Sequence, residues 1–302
     1  MSRTEKLAPI DTGSNAWQRF WNRGGWWRAV LMAVIYLALY NGMGLALAPV
    51  LSGLVNVENL FGDPLSAFLA IGLQPLLGSI VLVIIAMSIG WLPRPLFGRQ
   101  PALPRRWWFW LGPILVLIPI VGRLFGIDYA RYGAGVVLAV FAAGLFVGFS
   151  EDFLTRGMAV VMLRRHGYRE WAVMALSSVI FASLHFSNFF TGQPVSTVLP
   201  TVIYAFAFGV CMYATLRVGG SLVWPILLHM FTDPTTILAS GGIDDGTHAT
   251  LNAGNGIAVA GTFAYLAWAV VLLIVTRGDA EGRADADEQP RRRVTHAEPT
   301  AS

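Results

Sequence analysis

The sequence predicts an all-α, polytopic membrane protein with about eight transmembrane helices in a bundle around an intramembrane cavity. Three observations predict this class: the composition, the long uncharged runs and the distribution of arginine. Of the 302 residues, 55% are hydrophobic and only 13% are charged, with a mean hydropathy of +0.60. A soluble domain carries roughly 25% charged residues. Membrane lipid is therefore an expected partner. The net charge of +4 does not indicate nucleic-acid binding, because the basic residues lie at helix ends and in the tails.

Uncharged runs predict the number and position of the spans. Residues 29–57 carry no charged side chain, and residues 171–216 carry none apart from His185. Both runs exceed the roughly 20 apolar residues that cross a bilayer. In chain order the predicted spans are 28–50, 64–92, 107–123, 133–163, 170–190, 196–216, 220–240 and 256–276. The expected organisation is an N-terminal segment 1–25, an eight-span membrane domain 26–276 and a charged, disordered tail 277–302.

Arginine is distributed unequally between the two sides of these spans. One side holds the N-terminus, the loops 93–106 and 164–169, Arg217 and the C-terminal tail. The opposite loops are mostly acidic, with Arg123 and Arg131 as exceptions. Cytoplasmic loops carry the excess of basic residues, so we expect both termini in the cytoplasm. Only one of the 21 basic residues is lysine, a bias typical of high-GC bacterial genomes, and we expect a bacterial cytoplasmic membrane.

Ionisable side chains interrupt three of the predicted spans. They are Glu151, Asp152 and Arg156 in the fourth span, His185 in the fifth, and His229 and Asp233 in the seventh. Charge at bilayer depth costs from about 3 to more than 10 kcal/mol per group, so it persists mainly where it is paired or functional. Counted from the cytoplasmic arginine of each span at 1.5 Å per residue, Glu151, His185 and His229 lie about 20, 24 and 18 Å deep. We therefore expect separate helices to bring these groups together in one hydrolytic site.

Helical spacing separates the expected roles of the acidic residues. Asp152 and Arg156 are four residues apart and can pair on one helix face, whereas Glu151 is turned about 100° away and can face a cavity. A carboxylate placed there suits a general base that takes a proton from water and returns it to an amine. Histidine and carboxylate side chains can also bind zinc, which activates a bound water. The His-Glu-x-x-His signature of helical zinc proteases is absent from the sequence.

Three motifs make residues 145–240 resemble the CPBP intramembrane protease family, also called the Abi or type II CAAX prenyl endopeptidase family. The family motifs are Glu-Glu-x-x-x-Arg, Phe-x-x-x-His and His-x-x-x-Asn or Asp. The matching segments here are Glu151-Asp152-x-x-x-Arg156, Phe181-Ala-Ser-Leu-His185 and His229-Met-Phe-Thr-Asp233. Each motif alone is weak, but the three in order, each on a predicted span, are fairly specific.

The resemblance implies an eight-helix fold with a peptidase site inside the membrane and a membrane-associated protein or peptide as the substrate. It implies that Glu151 activates the water. His185 and His229, supported by Asp233, would bind a divalent metal, with zinc as the expected ion and Glu151 nearby. On the competing account, the two histidines hold the water and the developing oxyanion. The sequence leaves both accounts open.

Asp152 departs from the family pattern, which usually has a second glutamate. Its shorter side chain can still pair with Arg156, so we interpret it as a conservative change in a supporting position. Two other function classes stay open. A catalytically silent scaffold or bacteriocin-immunity-type protein would keep the fold and work without Glu151. A proton-coupled transporter would also use intramembrane acids and histidines, although the sequence shows no internal repeat of the transporter kind.

Overall fold

The computed structural model describes residues 15–99, 107–241 and 252–276, and these ranges contain helices and no strand. The α-helices α1 to α11 are Ala16–Asn22, Trp26–Leu51, Pro64–Ile71, Leu73–Ser88, Leu111–Gly126, Ala134–Asp152, Val160–Arg165, Glu170–Leu184, Val195–Gly219, Val223–Ser240 and Ala253–Val275. A π-helix, Phe153–Ala159, joins α6 to α7. Short 3-10 helices occupy Leu60–Gly62, Trp107–Trp110 and His185–Thr191. The all-α prediction is confirmed.

The described helices also confirm a polytopic membrane protein. Six of them are long and apolar enough to cross a membrane, or seven if the bent pair α3 and α4 forms one span. The predicted span 220–240 corresponds to α10, which has 18 residues but is not among those six or seven. Its polar residues, above all His229 and Asp233, make it less apolar than its neighbours. The described residues thus contain six or seven candidate spans against the eight that the sequence predicts, and α10 occupies the position of the predicted seventh span.

The second predicted span differs from its prediction because it is bent. It begins at Pro64, where the side chain of Asp63 accepts a hydrogen bond of 2.8 Å from the Ser66 N–H and caps the helix. The axis turns by 45° at Gly72. A Cβ atom at Gly72 would lie 2.8 Å from the Cβ of Ala143 on α6. The missing side chain therefore permits the close approach of the two helices at the bend.

The packing of α6 against α10 positions the polar groups of the membrane domain. A Cβ atom at Gly144 would lie 2.2 Å from Cγ of Pro234, and one at Gly148 would lie 2.9 Å from the backbone nitrogen of Met230. Glycines four residues apart form a flat strip on one helix face, which is the small-xxx-small pattern of close packing in membranes. The strip brings the end of α6 against the middle of α10, where His229 lies.

The ends of the chain are described only in part. Residues 1–14, 100–106, 242–251 and 277–302 lie outside the described residues, so the predicted disorder of the tail and the cytoplasmic location of both termini stay predictions. Within the N-terminal segment, α1 packs against the membrane domain. Asn22 at its end accepts hydrogen bonds from Nε1 of Trp91, at 2.7 Å, and from the guanidinium of Arg165.

Candidate active site

Four of the six predicted site residues line one cavity. They are Glu151 at the end of α6, His185 at the start of the last 3-10 helix, and His229 and Asp233 on α10. The cavity volume is about 1330 Å³, larger than the roughly 300–1,000 Å³ of typical small-molecule pockets. Aromatic side chains from α2, α8 and α9 form much of its wall: Tyr36, Tyr40, Phe181, Tyr204 and Phe208. The structure therefore brings polar groups of separate helices together, as their depths predict.

Glu151 presents its carboxylate to this cavity. The side chain is 22% exposed, and its Oε2 atom lies 3.9 Å from Nε2 of His229. Among the described residues, Oε2 has no hydrogen-bond partner. Asp152, the next residue, is fully buried because it points about 100° away around the helix. The carboxylate of Glu151 thus lies beside an imidazole. It can accept a proton from a water molecule in the cavity.

Asp152 lies behind the cavity wall and contacts both other motif groups. Its Oδ2 lies 3.0 Å from Nδ1 of His229, and its Oδ1 lies 3.2 Å from Nη1 of Arg156. The second contact is the predicted pair at a spacing of four residues. The first contact was not predicted, and through it Asp152 binds His229 directly. A carboxylate at Nδ1 fixes the orientation and the tautomer of an imidazole ring, which leaves Nε2 for chemistry.

Arg156 is buried beneath the site in the π-helix. Its guanidinium carbon lies 4.0 Å from the ring centre of Phe181, an arrangement that adds cation–π attraction to the ion pair. Gly209 of α9 makes room for this group, since a Cβ atom there would lie 3.2 Å from Nη2 of Arg156. Arg156 therefore positions Asp152 and does not reach the cavity itself.

The hydroxyl of Thr155 connects the side chain of Arg156 to the backbone of Glu151. Oγ1 of Thr155 donates a 2.6 Å hydrogen bond to the carbonyl of Glu151 and accepts a 2.7 Å bond from Nη1 of Arg156. Both residues lie where the α-helix changes into the π-helix Phe153–Ala159. Single π-helical turns inside α-helices occur frequently at functional sites. The sequence predicts one continuous span over 133–163 and assigns no role to Thr155.

His185 lies inside the fifth span, as predicted, since the apolar helical segment runs over Glu170–Phe190. The α-helix stops at Leu184, and His185 begins the tighter 3-10 helix. Its ring packs edge-on against Phe181, with centroids 5.3 Å apart, and the same Phe181 ring lies 5.7 Å from that of His229. His185 also interacts electrostatically with Asp233. The two histidines thus flank Phe181 on the cavity wall.

Asp233 lies one helical turn from His229 and is the most exposed acid of the group, at 36% for its side chain. Its Oδ2 is 3.5 Å from Nε2 of His229. Nε2 therefore faces both Glu151 and Asp233, while Nδ1 faces Asp152. Phe208 packs against the same imidazole with ring centroids 5.0 Å apart, so His229 is held by contacts on all sides and is only 3% exposed.

The metal that the resemblance implies does not fit this arrangement of side chains. Within residues 15–99, 107–241 and 252–276, no three His, Cys, Asp or Glu side chains are placed so that they could hold a metal ion. His229 already has a carboxylate at each ring nitrogen. Zinc binding therefore stays an expectation from the sequence.

Three kinds of supporting residue were not predicted from the sequence. The glycine strip of Gly144 and Gly148 has a visible signal, the spacing of four in an apolar helix, which indicates close packing. Gly209 has no such signal, because its neighbour Arg156 comes from another helix. Phe208 cannot be distinguished in the sequence from the other apolar residues of its span. Gly209 and Phe208 can be recognised only when the helices are seen together.

The middle of the chain matches one protein-family model. Residues 133–235 match the family model described as type II CAAX prenyl endopeptidase Rce1-like. The matched segment begins just before α6 and ends just after Asp233, so it contains all three motifs. Neither a curated protein nor a solved structure matches the chain. The family match confirms the resemblance that the motifs predict and supports a CAAX-protease-like fold in the membrane.

Proposed function

We propose that this chain, whose residues 133–235 match the Rce1-like family, is an intramembrane endopeptidase. It hydrolyses a peptide bond of a membrane-associated protein or peptide that enters the cavity of α6 and α10. One observation supports this function most: Oε2 of Glu151 lies 3.9 Å from Nε2 of His229 in that cavity and makes no hydrogen bond within the described part of the chain. A structural polar cluster would satisfy its acid with a direct hydrogen bond.

In the proposed reaction, Glu151 accepts a proton from a water molecule and the resulting hydroxide attacks the carbonyl carbon of the scissile bond. General-base assistance of this kind contributes about 10²- to 10⁴-fold to the rate. The tetrahedral intermediate then collapses, the C–N bond breaks, and the protonated Glu151 returns its proton to the leaving amine. The products are a new carboxylate and a new amine, with one water consumed.

The histidines hold the water and the developing oxyanion. His229 is oriented for this role by Asp152 at Nδ1 and by the aromatic rings of Phe181 and Phe208. His185 contributes from the other side of Phe181. Removing one donor to an oxyanion costs about 10²- to 10³-fold in kcat in enzymes that form tetrahedral intermediates. Asp233 faces the same Nε2 at 3.5 Å and supports His229 from the cavity side.

The experiment that tests this function compares peptide termini in membranes. Cells expressing the native chain, Glu151→Gln or the control Glu58→Gln are examined by terminal-peptide proteomics. Glu58 is exposed in a loop, so the control repeats the chemical change away from the cavity. We expect new termini with the native chain and the control, and none with Glu151→Gln. A scaffold or immunity-type protein predicts the same set of termini in all three strains.

A further inference from the structure

Arg123 is a cationic group of the cavity that has no role in the mechanism above. It lies in the last turn of α5 and lines the same cavity as Glu151 and His229. Its Nη1 atom is buried and has no hydrogen-bond partner among the described residues. None of the ion pairs in the described part of the chain includes it. The cavity therefore contains a guanidinium whose Nη1 donates no hydrogen bond to the described residues.

A buried guanidinium donor lowers the stability of the fold unless an acceptor binds it. Arginine cannot lose its proton in a protein, and it carries five N–H donors and no acceptor. A buried donor without a partner loses the hydrogen bonds that it made with water. Arg123 is also one of the two exceptions to the arginine distribution of the sequence, so topology does not explain its presence.

Asp233 is an electrostatic neighbour of both Arg123 and the catalytic pair Glu151 and His229. It lies one turn, about 6 Å, from His229 along α10. The backbone of Arg123 is held firmly, because a Cβ atom at the preceding Gly122 would lie 2.7 Å from the carbonyl oxygen of Gly254 on α11. A rigid backbone is what a binding group requires.

We propose that Arg123 is the binding subsite for a carboxylate of the peptide substrate, a role that rests on the proposed function. A peptide must lie in this cavity for Glu151 to reach one of its bonds, and an unmodified peptide has no anionic groups other than carboxylates. The planar guanidinium binds a carboxylate through two parallel hydrogen bonds. The carboxylate is either the C-terminal one or that of an aspartate or glutamate side chain. In both cases Arg123 selects the substrate and sets which bond lies at Glu151.

Binding without turnover tests this subsite separately from catalysis. The full-length Glu151→Gln chain in lipid nanodiscs is exposed to three mixed-sequence apolar peptide libraries, and bound peptides are counted by affinity-selection mass spectrometry. One library has free C-terminal carboxylates, the second is C-terminally amidated, and the third is amidated with one aspartate at varied positions. We expect at least tenfold enrichment of the first or third library over the second, and the enriched library identifies the source of the carboxylate.

The variants assign the preference to Arg123. Adding Arg123→Gln should abolish the enrichment, and adding Arg123→Lys should keep only part of it because lysine lacks the planar fork. Arg131→Gln, an exposed arginine in the following loop, should leave the enrichment unchanged. Equal binding of all three libraries by the parent chain, or full enrichment with Arg123→Gln, would overturn the subsite. Failure of the proposed function would appear instead as absent cleavage by the native chain, whatever this binding assay shows.

Discussion

The Nδ1 atom of His229 lies 3.0 Å from Oδ2 of Asp152, and both side chains are buried. The same carboxylate pairs with Arg156 at 3.2 Å. One acid therefore connects α10 to the π-helix and determines how the imidazole faces Glu151. The family usually has a second glutamate at this position. Here the acid at this position contacts a histidine and orients it.

Asp152→Asn tests that task. The amide keeps the size of the side chain but removes the charge at Nδ1 of His229, so the ring can adopt the wrong tautomer. We expect kcat to fall at least about tenfold with little change in KM, because an imidazole in the wrong tautomer cannot hold the water and the oxyanion through Nε2. Steady-state cleavage of a substrate found by terminal proteomics measures both constants. The exposed Asp128→Asn should behave as the native chain, and an unchanged kcat in Asp152→Asn would remove the proposed role.

Arg156 is expected to stabilise the fold through Asp152. Arg156→Ala leaves a buried carboxylate without its cation, which costs about 3–5 kcal/mol in comparable buried pairs. Arg156→Lys should cost less because it keeps the charge and loses mainly the contact with Phe181. Unfolding by sodium dodecyl sulfate in mixed micelles measures the change. Exposed Arg131→Ala is the control, and equal stability of the Arg156→Ala and Arg131→Ala chains would contradict the buried pair.

Gly148 is expected to set the distance between α6 and α10. A Cβ atom there would lie 2.9 Å from the carbonyl oxygen of Ile226 and 3.1 Å from Cβ of His229. Gly148→Ala should therefore push α10 away from α6 and cost about 1–3 kcal/mol, as overpacking usually does. We also expect at least a tenfold loss of cleavage rate per folded molecule. Gly133→Ala, where the added atom meets nothing within 4 Å, should change neither quantity.

A second buried ion pair lies outside the cavity and should affect stability alone. Oε1 of Glu170 accepts hydrogen bonds of 2.7 Å from Nε of Arg217 and 2.7 Å from the hydroxyl of Tyr213, which in turn accepts one from Arg164. Glu170→Ala leaves two buried arginines without that carboxylate, and we expect a loss of about 3–5 kcal/mol. The rate per folded molecule should stay at the native value. Exposed Glu58→Ala should alter neither, and a Glu170→Ala chain as stable as that control would contradict the prediction.

The sequence predicts the class of the fold and the identity of the polar residues because both follow from strong local signals. Uncharged runs longer than a bilayer is thick leave few alternatives to membrane helices. Charged groups inside such runs are conspicuous, and their depths predicted that Glu151, His185 and His229 would meet. The all-α class and the family resemblance are confirmed, and the residues do line one cavity.

Details that depend on contacts between helices could not be predicted. The bend at Gly72 reflects the approach of Ala143, and the π-helix at Phe153–Ala159 has no pattern of its own in the sequence. His185 lies at a helix end because the α-helix tightens into a 3-10 helix, which apolar composition does not reveal. The contact of Asp152 with His229 joins residues 77 positions apart, and such pairing is invisible in one sequence.

Direct cleavage by the purified chain tests the central claim most simply. Native chain and Glu151→Gln, each in lipid nanodiscs and shown to be folded, are incubated with the free-acid and amidated peptide libraries in water enriched in oxygen-18. We expect the native chain to produce fragments that carry one oxygen-18 atom in each new carboxylate, and Glu151→Gln to produce none above background. Equal amounts of labelled fragments from both chains would contradict the claim that Glu151 activates the water.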